Sequence, residues 1–162
     1  MKQRTLIRNA TIYDGTGGRP FFGDVLIGGG LIQKIGRFLH EEDCTVVDGS
    51  GKILTPGFIN CHSHSELQPF YNPRMLQVIG QGITTELVGQ DGLSVAPIDD
   101  AHAAELTENM ICLCGKAKRD FWWRSHREFM QLAEEANPSC RFVGLLGSGT
   151  IRMNVMGSEN RP

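Results

Sequence analysis

Apolar residues in the first third of the chain fall in short runs separated by glycine. Thr5-Leu6-Ile7 and Ala10-Thr11-Ile12-Tyr13 predict a strand, and Asp14-Gly15-Thr16-Gly17-Gly18 a turn. Asp24-Val25-Leu26-Ile27 and Leu31-Ile32-Gln33-Lys34-Ile35 flank Gly28-Gly29-Gly30. That is a hairpin pattern, because consecutive glycines supply the positive φ of a tight turn. Thr45-Val46-Val47-Asp48 predicts a further strand and Asp48-Gly49-Ser50-Gly51-Lys52 another turn. Residues 1–55 therefore predict a small all-β segment.

After Pro56-Gly57 the pattern alternates between strands and helices. Phe58-Ile59-Asn60-Cys61 predicts a short apolar strand leading into His62, and Ile83-Thr84-Thr85-Glu86-Leu87-Val88 a β-branched one. Met75, Leu76 and Ile79 give helical spacing between Pro73 and Gly80. A second helix is expected from Asp100 to about Lys116, with Ala103, Leu106, Met110 and Leu113 on one stripe. Ser125-His126-Arg127-Glu128 is a capping box opening a third helix that runs to Ala136. Arg141-Phe142-Val143-Gly144-Leu145-Leu146 predicts a third strand. Such repetition implies a parallel sheet with helices outside. The three strands fit half of an open sheet or the first three units of an eight-stranded barrel, which takes about 250 residues when complete.

Composition changes this picture little. The chain has 162 residues, 40% hydrophobic and 21% charged, with a net charge of -2. These are values of an ordinary globular protein, and they imply no basic face for nucleic acid. The basic cluster from Lys116 to Arg127 is interrupted by Asp120 and Glu128 and reads as a solvated helix face. Cys44, Cys61, Cys112, Cys114 and Cys140 are odd in number and irregular in spacing, so reduced thiols and a cytoplasmic setting are expected. The first residues are too short of apolar length for a signal peptide core, and no run reaches a membrane span.

Candidate chemistry sits at strand ends. His62 and His64 are two apart, and alternate side chains of an extended segment share a face, so both imidazoles can converge on one metal ion. Imidazole nitrogen suits zinc and similar divalent ions. The C-terminal end of a parallel strand is where sites are built. Asp91 falls just past the next strand and would face the same rim, where a carboxylate could bridge two ions or orient a water. Asp91-Gly92 also reads as a plain turn dipeptide. Gly147-Ser148-Gly149-Thr150 ends the third strand on that rim, as a pocket lining or a turn. Cys112 and Cys114 lie two apart in a predicted helix and point in different directions. His40, His102 and His126 have no partner spacing and are expected at the surface. Trp122 and Trp123 are expected to pack the helix that follows them.

The run from Val46-Val47-Asp48-Gly49 through Leu54-Thr55-Pro56-Gly57-Phe58-Ile59 to His62-Ser63-His64 resembles the amidohydrolase superfamily, as does the opening Leu6-Ile7-Arg8-Asn9-Ala10-Thr11-Ile12-Tyr13-Asp14-Gly15. Gly82-Ile83-Thr84-Thr85 with Gly89-Gln90-Asp91-Gly92-Leu93-Ser94-Val95-Ala96-Pro97, Trp123-Arg124-Ser125, and Gly147-Ser148-Gly149-Thr150-Ile151-Arg152 with Val155-Met156-Gly157 narrow the similarity to the N-acyl-D-amino-acid deacylases. The resemblance implies an α/β chain: the N-terminal part of a small β-sandwich over residues 1–55, then the first strand–helix units of an incomplete (β/α)8 TIM-type barrel over 56–162. It implies a metal-dependent hydrolase of a non-peptide amide with one or two zinc or other divalent ions. Its substrate would be a small N-acyl amino acid, and it could form a homo-oligomer. His62 and His64 match the family's H-x-H ligands. Asp91 stands where the D-aminoacylases carry a bridging cysteine, and a carboxylate is a harder ligand. Ser148, a candidate substrate contact, stands where many relatives have histidine. The resemblance places the general base, an aspartate, beyond residue 162, so the chain alone is expected to be inactive, and the exposed edge of an unfinished barrel is expected to make it poorly soluble. The alternatives are a cyclic-amide hydrolase of the dihydropyrimidinase or dihydroorotase kind, or a non-catalytic fragment that binds a metal or a partner.

Overall fold

The computed structural model describes residues 4–115 and 123–160, so Lys116 to Trp122, with most of the basic cluster and the first of the two tryptophans, lie outside the described residues. The chain forms two compact units, Met1–Pro56 and Gly57–Pro162.

In the first unit, β1 (Arg4–Ile12) lies at the centre of a five-stranded sheet. It pairs antiparallel with β2 (Phe21–Gly28), which forms the hairpin with β3 (Leu31–Gly36). Gly29 and Gly30, at φ 64° and 81°, make the turn. The other edge of β1 pairs parallel with β4 (Thr45–Asp48) at Thr5 to Arg8 and with β5 (Ile53–Leu54) at Thr11 and Ile12. The change of partner coincides with a bulge at Asn9, which has φ 61°. The buried Asp24 carboxylate accepts the backbone N–H of Asn9 at 2.8 Å and of Leu39 at 2.9 Å. Ala10, Ile12 and Val25 form this unit's core.

The second unit is a three-stranded parallel sheet, ordered β6 (Phe58–Ser63), β7 (Ile83–Val88), β8 (Arg141–Gly144). Two short helices, α1 (Gln68–Tyr71) and α2 (Leu76–Ile79), connect β6 to β7. The helical spacing from Pro73 to Gly80 yields only that one turn, because Met75 takes a left-handed conformation at φ 43°. Between β7 and β8 run α3 (Ala103–Cys114) and α4 (His126–Glu135). Leu106, Met110 and Cys114 are the buried face of α3; Leu113, expected there, is 40% exposed. Ser125 caps α4 by accepting the N–H of Glu128, whose own carboxylate accepts the N–H of Arg124. Trp123 is fully buried, stacks on Phe70, contacts Phe129, and donates its indole N–H to the Val95 carbonyl at 2.7 Å.

A helix not expected from the pattern, α5 (Ser148–Met156), follows β8. His126 also departs from expectation: its Nε2 is buried and lacks a hydrogen-bond partner, and the ring lies so close to Gly144 that a Cβ there would be 2.6 Å from Nε2. Burial pushes its pKa down, because the charged imidazolium loses solvent. Among the described residues no helix is long and apolar enough to cross a membrane.

Candidate metal centre

The parallel register sets Ser63, the last residue of β6, beside Val88, the last of β7. The chain segments leaving both strands therefore start side by side. His62 lies inside β6 and His64 one residue past its end. After β7 the chain turns sharply at Gly89, at φ 83°, where a Cβ would sit 2.5 Å from the Leu145 carbonyl oxygen. Only glycine fits such a position. The Gln90 side chain donates to the Cys61 carbonyl at 2.9 Å and ties the turn back to β6. Asp91 follows at φ 57°, a left-handed conformation that Asp tolerates better than most residues. The Gly92 carbonyl then accepts the N–H groups of Gly149 and Thr150 at the start of α5.

This path brings three side chains together. Nε2 of His62 and Nε2 of His64 each lie 3.2 Å from the same oxygen, Oδ2 of Asp91. The two imidazole rings are edge-to-face with centroids 5.6 Å apart. One ligand atom from each of the three residues lies within 4.8 Å of the others. Two ligands about 2.1 Å from one zinc ion in tetrahedral geometry are about 3.4 Å apart, so this donor set fits such an ion. His64 is mostly buried, at 15% side-chain exposure, whereas His62 and Asp91 are 60% and 59% exposed. The cluster thus has a fixed inner wall and an outer side open to solvent.

The other sequence candidates fall elsewhere. Ser148 is the first residue of α5, exposed, with its hydroxyl close to Gly92 rather than among the three donors. Cys112 is exposed and Cys114 buried, on different faces of α3. His102 bonds through Nδ1 to Asp99 at 2.9 Å, and His40 is exposed.

Two carboxylates beside the site escaped the sequence reading. Glu66 is 1% exposed, with Oε1 3.9 Å from His64 Nδ1. Glu86, 2% exposed, accepts from Asn60 at 3.1 Å and from the Ser63 and Ser65 hydroxyls beneath the ends of β6 and β7. Their signal was position: Glu86 interrupts a β-branched strand, and Glu66 continues the alternation of His62 and His64.

No protein-family model matches the chain. An N-acyl-D-aspartate deacylase of Alcaligenes xylosoxydans xylosoxydans is 32% identical over 156 residues, which cover 96% of this chain and 30% of that protein. The crystal structure of the N-acyl-D-glutamate deacylase of Bordetella bronchiseptica, complexed with zinc and a phosphonate inhibitor, superposes with a TM-score of 0.81 at 27% identity, covering 96% of this chain and 32% of that one. A D-aminoacylase structure described for its binuclear metal centre superposes with a TM-score of 0.83 at 25% identity, over 97% of this chain and 32% of that one. The chain spans about a third of the length of these relatives. By sequence and by fold, it is a homologue of the N-acyl-D-amino-acid deacylases, the D-aminoacylase group of the amidohydrolase superfamily.

Proposed function

We propose that the chain supplies part of the metal centre of a hydrolase that deacylates N-acyl-D-amino acids. One observation carries the reading. In a homologue of these deacylases, two imidazole nitrogens and a carboxylate oxygen converge where adjacent parallel strands end. In this reading β6 to β8 with their helices are the first units of a (β/α)8 barrel spanning 56–162, and residues 1–55 are part of a β-sandwich. His62, His64 and Asp91 would hold zinc or a similar divalent ion, alone or as part of a pair. Such an ion supplies Lewis acidity that polarises an amide carbonyl and makes water a stronger acid. Asp91 would add a carboxylate oxygen to the two imidazole nitrogens, a donor set suited to a divalent cation. The exposed flank of His62 and Asp91 leaves the substrate side open; Ser148, exposed after β8, would be a substrate contact in this reading. The carboxylate that takes the proton from water is assigned to the part of the deacylases outside the matched third.

The test is turnover by the protein as made in its source, given N-acyl-D-aspartate, N-acyl-D-glutamate and their L-enantiomers with and without a chelator. Release of free D-amino acid that stops on chelation and in the His62→Ala/His64→Ala double variant is the expected result. Metal content unchanged in that double variant would refute the ligand assignment. Metal binding without turnover of any acyl amino acid would favour a non-catalytic metal-binding role.

A further inference from the structure

We infer that Glu66 is a positioning residue for the candidate metal centre, holding His64 through Nδ1 so that Nε2 faces the ion; this rests on the metal reading above. Glu66 is held from two directions. Its Oε1 accepts the N–H of Gly89 at 2.9 Å, from the turn that leads to Asp91. Its Oε2 accepts the thiol of Cys114 at 3.2 Å, from the last turn of α3. Burial and the adjacent Glu66 charge push the Cys114 thiol well above its ordinary range, so it remains S–H and can donate. The carboxylate is therefore fixed to both the sheet side and the helix side.

His64 Nδ1 is buried, lacks a hydrogen-bond partner, and lies 3.9 Å from Oε1 of Glu66. That gap is too long for a hydrogen bond, which needs about 2.7–3.2 Å. The facing pair nonetheless has the right chemistry: a buried ring nitrogen without a partner, which donates in one tautomer, and a buried carboxyl oxygen that can accept. A histidine that binds a metal through one nitrogen almost always donates its other N–H to such a group, which fixes the tautomer and ring orientation. The proposed bond requires the His64 ring to turn so that Nδ1 approaches Oε1. Glu66 would then accept hydrogen bonds from Gly89, Cys114 and His64, linking the Asp91 turn and the histidine to one anchor. A purely structural Glu66, tying the turn to α3, would leave metal affinity and the His64 tautomer unaffected.

Two measurements on the 162-residue chain separate these cases: zinc affinity by competition with a chromophoric chelator, and long-range 1H–15N NMR of the zinc-loaded histidines. Glu66→Gln is expected to weaken zinc binding about 10–100-fold, the usual effect of losing such a partner. In the unsubstituted chain His64 should carry its proton on Nδ1, shifted downfield and protected from exchange. If Glu66→Gln does not fold, that spectrum of the unsubstituted chain decides alone. Equal zinc affinity in folded Glu66→Gln, or a His64 proton on Nε2, overturns the role of Glu66 while leaving the metal centre standing. Absence of zinc binding, or binding that survives His62→Ala and His64→Ala, overturns both.

Discussion

Asp91 sits at φ 57° between Gly89 at 83° and Gly92 at 76°, so the turn that carries it leaves few residue types free to stand there. Sequence could show the Asp-Gly turn signal and the His-x-His spacing. It could not show that both Nε2 atoms meet one carboxylate oxygen, since that depends on register between β6 and β7. The alternation of His62, His64 and Glu66 was visible, but what Glu66 bonds was not, because its partners, Gly89 and Cys114, are 23 and 48 residues away along the chain. The cysteines give a prediction at this scale. Cys61 and Cys112 are exposed, whereas Cys114 and Cys140 are buried. Burial pushes the Cys140 thiol up to about 11, and Cys114 rises as well. An unfolded chain ionises these thiols near pH 8.5, while the folded chain keeps their protons. The folded state therefore binds more protons between about pH 8.5 and 11, and stability should fall as pH rises through that window. Mass spectrometry after iodoacetamide at pH 8 should show Cys61 and Cys112 alkylated, with Cys114 and Cys140 protected until urea is added. Labelling of Cys140 in the native chain as fast as Cys61 would contradict this.

Elements with strong local signals read directly from sequence. The Gly28-Gly29-Gly30 hairpin, the Ser125 cap with Glu128, and the β-branched run of β7 each carry their own local cause. The helix α5 does not. It opens with Ser148-Gly149 and contains Thr150, Ile151 and Val155, all poor helix formers, and among its residues only Thr150 is buried. What holds it is tertiary: the Gly92 carbonyl accepts the N–H groups of Gly149 and Thr150, and the Thr150 hydroxyl bonds both ways with the Ser94 backbone at 2.8 Å. The same packing makes Gly89 testable. Alanine there must adopt positive φ, at a cost of roughly 1–2 kcal/mol. It must also push a Cβ against the Leu145 carbonyl, which lies in backbone bonded to β7 and cannot swing aside. Gly89→Ala should lower stability by at least about 2 kcal/mol in urea unfolding. It should also weaken metal binding, because Asp91 is aimed by this turn. An unchanged urea midpoint would show that the turn is looser than the geometry requires.

On the scale of the whole chain, the second unit leaves unusual surfaces. Parallel sheets are ordinarily covered on both faces. Here Phe58 and Ile59 of β6 are 56% and 65% exposed, and Val143, Leu145 and Leu146 around β8 are 45%, 42% and 56% exposed. The apolar runs at 58–61 and 141–146 were legible as strands, but their burial was not, because apolar periodicity does not state which neighbour covers a face. β6 and β8 are also the two edges of their sheet, and an uncovered apolar edge strand is a template for self-association. The 162-residue chain should therefore form larger species as its concentration rises, measured by light scattering. Lysine at 59 should raise the monomer fraction, since a charge on an edge strand opposes pairing. Because Ile59 keeps most of its surface in solvent, Ile59→Lys should change the urea midpoint little. If Ile59→Lys unfolds the chain instead, Ile59 is part of this unit's own core. If association is unchanged in a folded Ile59→Lys, the contact runs through another surface, and the β8 side with Leu145 and Leu146 is the next to charge.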